Sequence, residues 1–352
     1  MRLSGSSTGP STAVVLVGAA LLSVIASVGV SGFRYLNPAP YDADDQRAKR
    51  LAKCAVSNSS DHDNNQILIR TAGTPGIPRE SLPTDFSIDS HEVTNAQFAR
   101  FVAATNYQTT AERALDPADY PGVDLSLLAP GSAVFAPPQR LTSDDPGQWW
   151  RFIEGANWRN PEGPDSTIDG KDAHPVVHVT HADAKAYAAW AGRRLPTEIE
   201  WQLAARYQEN PGRSNWHLDD DGEPLSNTWQ GAFPLADRAD DAFAGLAPTG
   251  CFPPSSAGLY DMIGNVWEWV DDAYRENINS QLLAIDPGSL PPKLRDAGVQ
   301  QTSGDEPIAA RTIKGGSYLC SGNFCMNYRP EARLPQEATL GTSHIGFRTV
   351  TQ

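Results

Sequence analysis

From about Leu82 onward the chain rarely runs far without a turn residue; short apolar runs alternate with Gly, Pro, Asn and Asp. With 29 Gly and 28 Pro in 352 residues, this pattern argues against a helical bundle and predicts a loop-rich fold. The length is sufficient for a substantial buried core, and a hydrophobic content of 40% is that of a globular chain. No internal repeat is visible. Three stretches carry helical signals. Phe98, Phe101 and Val102 recur at helical spacing within Glu92 to Thr105. Thr180 and Asp183 form a capping box ahead of an apolar stripe of Tyr187, Trp190 and Ala191, and Gly192 stops that helix. Thr197 and Glu200 form a second box after Pro196. The expectation is an α+β domain with little regular secondary structure.

Residues 1–11 make a short N-terminal region. Thr12 to Val30 contains no charge and is long enough to span a bilayer. Arg2 ahead of it suits a signal peptide or a signal anchor, and the lack of a clear small-residue cleavage site favours the uncleaved anchor. Residues 31–80 read as a polar tether, leaving 81–352 as the folded domain. Arg34, Arg47, Lys49, Arg50 and Lys53 follow the apolar segment and favour a cytoplasmic placement. A large domain after an N-terminal anchor is more often exported, and the extracytoplasmic side is the one expected. The net charge of -14 argues against a nucleic-acid partner. Its carboxylates either form a solvated face or hold hard cations.

Four cysteines are too few for a disulfide scaffold in a chain this long. Any role they have is expected to be local, and only Cys320 and Cys325 are neighbours. They lie in Gly315-Gly316-Ser317-Tyr318-Leu319-Cys320-Ser321-Gly322-Asn323-Phe324-Cys325. The spacing is not that of a thioredoxin-type pair. It leaves two readings open: a loop disulfide, or two soft thiolates suited to Cu(I). His174, His178 and His181 are the one histidine cluster, read as packed or capping side chains rather than ligands. Oxygen-rich loops run from Asn227 to Gly231, through Asp240 to Phe243, and from Gly258 to Trp269. Such loops suit either calcium or ordinary Asx turns.

Taken together, these strings resemble the formylglycine-generating enzyme (sulfatase-modifying factor) family. The resemblance rests on Glu92-Val93-Thr94-Asn95, Gly155-Ala156-Asn157-Trp158-Arg159 with Pro161 to Ser166, and His174 to Val179. It continues through Trp190 to Glu198, the Asn227 and Gly258 runs, the cysteine loop, and Gly346-Phe347-Arg348. It covers roughly residues 82 to 352 in family order and implies the family's C-type-lectin-related fold.

The resemblance further implies a copper-dependent oxidase. It would convert a cysteine in a sulfatase-type Cys-X-Pro-X-Arg motif to Cα-formylglycine with dioxygen, acting on an unfolded or extended client. Cys320 and Cys325 match the copper pair, and Ser317 and Trp267 match residues lining the oxygen site. Arg333 matches an arginine near the substrate groove. Asn227 and Asp241, with the carbonyls of Thr228 and Phe243, match one calcium site. Asp261 and Glu268, with the carbonyls of Gly264 and Val266, match a second. Ala188, Ala204, Pro330 and Thr349 replace cysteines that some members pair. Phe324 and His344 replace a common tyrosine and asparagine. Two other readings compete: a non-catalytic lectin-like domain at the membrane, and an iron-dependent sulfoxide synthase, which needs a histidine-rich site and an additional helical domain.

Overall fold

The run Trp267-Glu268-Trp269-Val270 is buried on both sides of its backbone, with each side chain 2% exposed or less. Successive side chains of a strand point to opposite faces. Trp267 and Trp269 therefore join one apolar cluster, with Phe98, Phe101, Tyr187 and Phe347. Val270 joins another, with Ile69, Phe86, Ile88, Trp201 and Val350. This strand separates the two largest apolar clusters. The computed structural model describes residues 48–52, 54, 65–71, 83–119, 122, 125–141, 146–206, 217–275, 310–322 and 328–352. All of them lie in the unit Ala43–Gln352.

The strands are β1 (Gln66–Ile69), β2 (Phe86–Asp89), β3 (Gly131–Phe135), β4 (Trp150–Glu154), β5 (Gly231–Ala232), β6 (Ala236–Asp237), β7 (Trp267–Ala273), β8 (Ala310–Lys314), β9 (Arg333–Glu337), β10 (Ile345–Gly346) and β11 (Val350–Thr351). One sheet has the order β1-β2-β11, another β10-β7-β8-β9, and β3-β4 and β5-β6 are hairpins. β1 and β11 both pair antiparallel to β2, with Ile67 and Val350 each opposite Ile88. The first and last strands thus close on the same partner. This places Gln66–Ile69 inside the domain, earlier than the boundary at residue 81 expected from the sequence. The strand contains Ile67-Leu68-Ile69, which the resemblance implies as a remnant of the family's opening strand.

The helices are α1 (Asn95–Thr105), α2 (His181–Trp190) and α3 (Glu198–Arg206). α1 starts later than expected because Thr94 caps it and makes a box with Gln97. α2 begins at the expected box of Thr180 and Asp183. The third box is also present: Thr197 N–H donates to Glu200 Oε2 at 2.8 Å, and Glu200 N–H donates to Thr197 Oγ1 at 3.2 Å. Trp190 departs from its expected place in the apolar stripe. It is 43% exposed, with its ring 5.6 Å from that of Phe101.

Glu268 faces the second core and is fully buried. Arg348, also fully buried, donates to Glu268 Oε1 at 2.7 Å through Nη2 and to Oε2 at 2.8 Å through Nε. Trp201 Nε1 from α3 donates to Oε2 at 2.7 Å. The remaining Arg348 donors reach the carbonyls of Asp89 at 3.2 Å and Tyr260 at 3.0 Å. Breaking a buried pair of this kind by removing one partner costs about 3–5 kcal/mol, because an uncompensated charge is left behind. Among the described residues no helix is long and apolar enough to cross a membrane; Thr12 to Val30 lies outside them.

Candidate active site

The chain leaves β8 through Gly315 and Gly316, with φ of 95° and 79°. Side chains are strained in that region, and a Cβ at Gly315 would stand 3.1 Å from the Trp201 ring and 3.2 Å from the Met262 carbonyl. The glycines turn the chain into the loop that carries Ser317 and Cys320. Cys320 N–H donates to the Ser317 carbonyl at 2.9 Å, and Leu319 N–H to Ser317 Oγ at 3.3 Å. The Cys320 carbonyl accepts from Trp229 N–H at 2.9 Å. Ser317 is 0% exposed and Cys320 1%. Cys320 and Trp267 belong to the same buried apolar cluster, and Ser317 lies three residues before Cys320 on the same buried loop. Cys325 lies outside the described residues.

A cavity of about 600 Å³ adjoins this loop. Phe135, Trp158, Trp229, Leu235 and Tyr318 form much of its wall, and Glu162, Lys171 and Asp237 add charge. Cys320 itself does not line it, although Tyr318, two residues earlier, does. Burial pushes the Tyr318 phenol up to about 12, so it stays protonated at neutral pH.

Asn265 connects the cysteine loop to the first expected calcium set. Its φ of 56° is left-handed, a conformation asparagine tolerates better than most residues. Its backbone N–H donates to the Asn227 carbonyl, and its carbonyl accepts from Tyr318 N–H, both at 2.9 Å. Its side-chain Oδ1 accepts from Asn227 Nδ2 and Ala247 N–H, each at 3.0 Å. Its Nδ2 donates to Glu92 Oε1 at 3.1 Å. Neither charge nor metal-ligand spacing marks Asn265 in the sequence.

The residues of the first calcium set fit a cation. Asn227 Nδ2 also donates to the Gly245 carbonyl at 2.8 Å, and among the described residues Asn227 Oδ1 is buried without a hydrogen-bond partner. Asp241 is 0% exposed, and burial pushes its carboxyl up to about 7. It accepts from Thr228 N–H at 3.1 Å, Phe243 N–H at 3.0 Å and Gln230 Nε2 at 2.8 Å. These are all neutral donors. Gln230 Nε2 also donates to the Thr228 carbonyl, so an amide bridges two of the expected ligands and a cation would displace it.

The second calcium set does not fit a cation in the same way. Both Glu268 oxygens are engaged by Arg348 and Trp201. Asp261 Oδ2 accepts from Gly250 N–H at 2.6 Å. Among the described residues no three His, Cys, Asp or Glu side chains gather as a cation cage. Glu92, missed in the sequence, joins Asp261 here. Its Oε2 is buried without a hydrogen-bond partner among the described residues, and burial followed by the Asp261 charge holds its carboxyl well above the usual range.

Arg333 also differs from its expected role. It donates to Glu198 Oε1 at 2.7 Å and Oε2 at 3.1 Å, and to the Arg275 carbonyl at 2.6 Å. Its guanidinium lies 4.5 Å from the centre of the Tyr274 ring. Arg333, half-buried, is thus paired to the buried Glu198, which Lys314 also approaches at 3.6 Å. Cys54 and Cys251 form a disulfide across 197 residues. This overturns the expectation that the cysteines act only locally. An even cysteine count in a chain read as exported was the available signal.

Of the histidine cluster, His174 lines the cavity, while His178 and His181 are packed side chains. His178 is fully buried, with Nδ1 2.8 Å from Ser132 Oγ and Nε2 2.8 Å from the Pro161 carbonyl. His181 packs against the Trp269 ring.

The fold and this loop define a sulfatase-modifying-factor type of domain. Residues 61–352 match the family described as the sulfatase-modifying factor enzyme 1-like domain, and the chain belongs to that family. It is 45% identical over 276 residues to the formylglycine-generating enzyme of Mycobacterium tuberculosis, covering 75% of this chain and 87% of that one. It is 41% identical over 283 residues to the inactive Cα-formylglycine-generating enzyme 2 of Mus musculus, covering 78% and 79% respectively. A solved structure, PvdO from Pseudomonas aeruginosa, is 20% identical with a TM-score of 0.45, covering 81% and 90%.

His178 generates a pH prediction. Burial pushes its imidazole from near 6.5 down to about 4, against the pull of the Pro161 carbonyl. A folded-state pKa below the unfolded value gives stability that is present above pH 6.5 and lost as pH falls through about 4. The total is roughly 3 kcal/mol at ~1.4 kcal/mol per pKa unit. Denaturant titrations of the wild type from pH 7 to 4 should show this loss, and His178→Asn should lose less over the same window. Equal pH dependence in the two proteins would remove His178 as the cause.

Proposed function

We propose that this chain is a formylglycine-generating enzyme that oxidises a cysteine in a sulfatase-type Cys-X-Pro-X-Arg segment. The observation that carries the reading is the buried loop bearing Ser317 and Cys320, with Cys320 in the same apolar cluster as Trp267, in a chain of this family that also keeps Cys325. Cys320 and Cys325 would hold copper, whose soft preference suits two thiolates. When bound, it supplies one-electron chemistry and activates dioxygen.

The protein's own residues supply the surroundings. Trp267 and the cluster behind it exclude water from the Cys320 side of the loop. Ser317, fully buried, places a hydroxyl beside the backbone turn that positions Cys320. The adjacent cavity, walled by aromatic rings and bearing Glu162 and Asp237, suits an extended peptide segment. In the overall change the client cysteine loses two electrons and two protons to dioxygen and becomes a thioaldehyde. Water then adds, sulfide leaves, and an aldehyde remains. Calcium at the Asn227–Asp241 set would neutralise a buried carboxylate that has no cationic partner among the described residues.

The similarity to an inactive relative favours a second reading, a non-catalytic binding domain. The cysteine pair separates the two. Cys325→Ser should abolish turnover of a client peptide and remove bound Cu(I), while circular dichroism stays that of the wild type. Turnover near the wild-type rate in the variant would overturn the copper pair.

We also place the domain outside the cytoplasm, held by Thr12 to Val30. The Cys54–Cys251 disulfide supports this side, since such bonds persist in oxidising compartments. Protease added to intact cells should digest the domain. Protection until detergent is added would reverse the orientation.

A further inference from the structure

The Cys54–Cys251 disulfide lies apart from the cysteine loop, yet it packs against the chain that forms the first cation set. Residues 48–52 and 54 are helical. Arg50 Nη1 donates to the Pro224 carbonyl at 3.0 Å, and its guanidinium stands 5.0 Å from the centre of the Phe252 ring. Cys54 and Cys251, 3% and 5% exposed, form an apolar cluster with Ala247 and Phe252, and Phe243 packs on it. The Phe243 and Phe252 rings are 6.0 Å apart.

Asp241 to Ala247 is therefore held from two sides. From within, Asp241 Oδ1 accepts from Phe243 N–H, the Gly245 carbonyl accepts from Asn227 Nδ2, and Ala247 N–H donates to Asn265 Oδ1. From without, the disulfide cluster holds Phe243 and Ala247. The inner contacts include the two side chains read as cation ligands. The outer contacts reach the Phe243 ring and Ala247, not the Phe243 carbonyl that belongs to the cation set. Fixing a loop in its binding conformation raises affinity by removing the ordering cost at the moment of binding.

We infer that Cys54 and Cys251 are positioning residues for the first cation set, so that the helical segment before the family domain sets the affinity of a site inside it. This rests on the reading of Asn227 and Asp241 as calcium ligands. It makes calcium affinity sensitive to the state of one disulfide, and it gives the segment at 48–54 a role beyond spacing the domain from a membrane.

The test is calcium binding by the full-length protein, stripped with chelator and titrated calorimetrically with calcium chloride. The double variant Cys54→Ala/Cys251→Ala leaves no thiol from this pair to exchange with Cys320. It should bind calcium about tenfold more weakly than the wild type, as expected if about one further residue must be ordered on binding. A lower melting temperature in excess chelator with unchanged calcium affinity would overturn the positioning role and leave a general staple. Failure of the wild type itself to bind calcium would overturn the cation reading, and the positioning role with it. Phe252→Leu keeps the disulfide and loosens the cluster. It should weaken binding in the same direction by a smaller factor, and unchanged affinity in that variant would also count as refutation, even if the double variant does not fold.

Discussion

The buried pair of Glu268 and Arg348 is the interaction on which the rest of the structure depends. Glu268 lies on β7 between the two cores, and Arg348 lies two residues before the terminal strand β11. Between them they engage Trp201 of α3 and the carbonyls of Asp89 and Tyr260. One ion pair thus joins the central strand, a helix, the end of the opening hairpin and the last segment of the chain. Every oxygen of the carboxylate is used, which is what lets a charge sit at zero exposure. Glu92 and Asp261 share this interior, and burial raises both, Asp261 to about 6. The interior tolerates one ion pair readily and further negative charge only with difficulty.

The site inherits its shape from that frame. β7 begins at Trp267, whose N–H donates to the His344 carbonyl at 2.9 Å. Immediately before it, Asn265 ties together the Asn227 loop, the Ala247 loop, Glu92 and the entrance to the cysteine loop. Gly264 precedes Asn265, and a Cβ there would collide with the Asn227 carbonyl. Cation set and cysteine loop are thus neighbours through one asparagine, although their residues are spread from Glu92 to Cys320.

What was legible in the sequence was local. The boxes of Thr180 with Asp183 and Thr197 with Glu200 lie three residues apart, and a single turn of helix satisfies them. Gly315-Gly316 announced a turn, and the strings around it announced the family. What was not legible depended on partners far away in the chain. Glu268 looks like a calcium ligand in an oxygen-rich loop until Arg348, 80 residues on, takes its carboxylate. Arg333 looks available until Glu198, 135 residues back, claims it. Cys54 sits in a polar stretch that nothing local connects to Cys251. Charged and sulfur-bearing side chains are versatile, and their roles are decided by the neighbour the fold brings to them.

The central claim is that this arrangement generates formylglycine. The most direct measurement is mass spectrometry of a peptide containing Cys-X-Pro-X-Arg after incubation with the purified protein, Cu(I) and dioxygen. The account predicts that the cysteine residue is replaced by one with the mass of an aldehyde, which a hydrazide reagent then captures. A peptide recovered with its thiol intact, from protein shown to have bound copper, would contradict it.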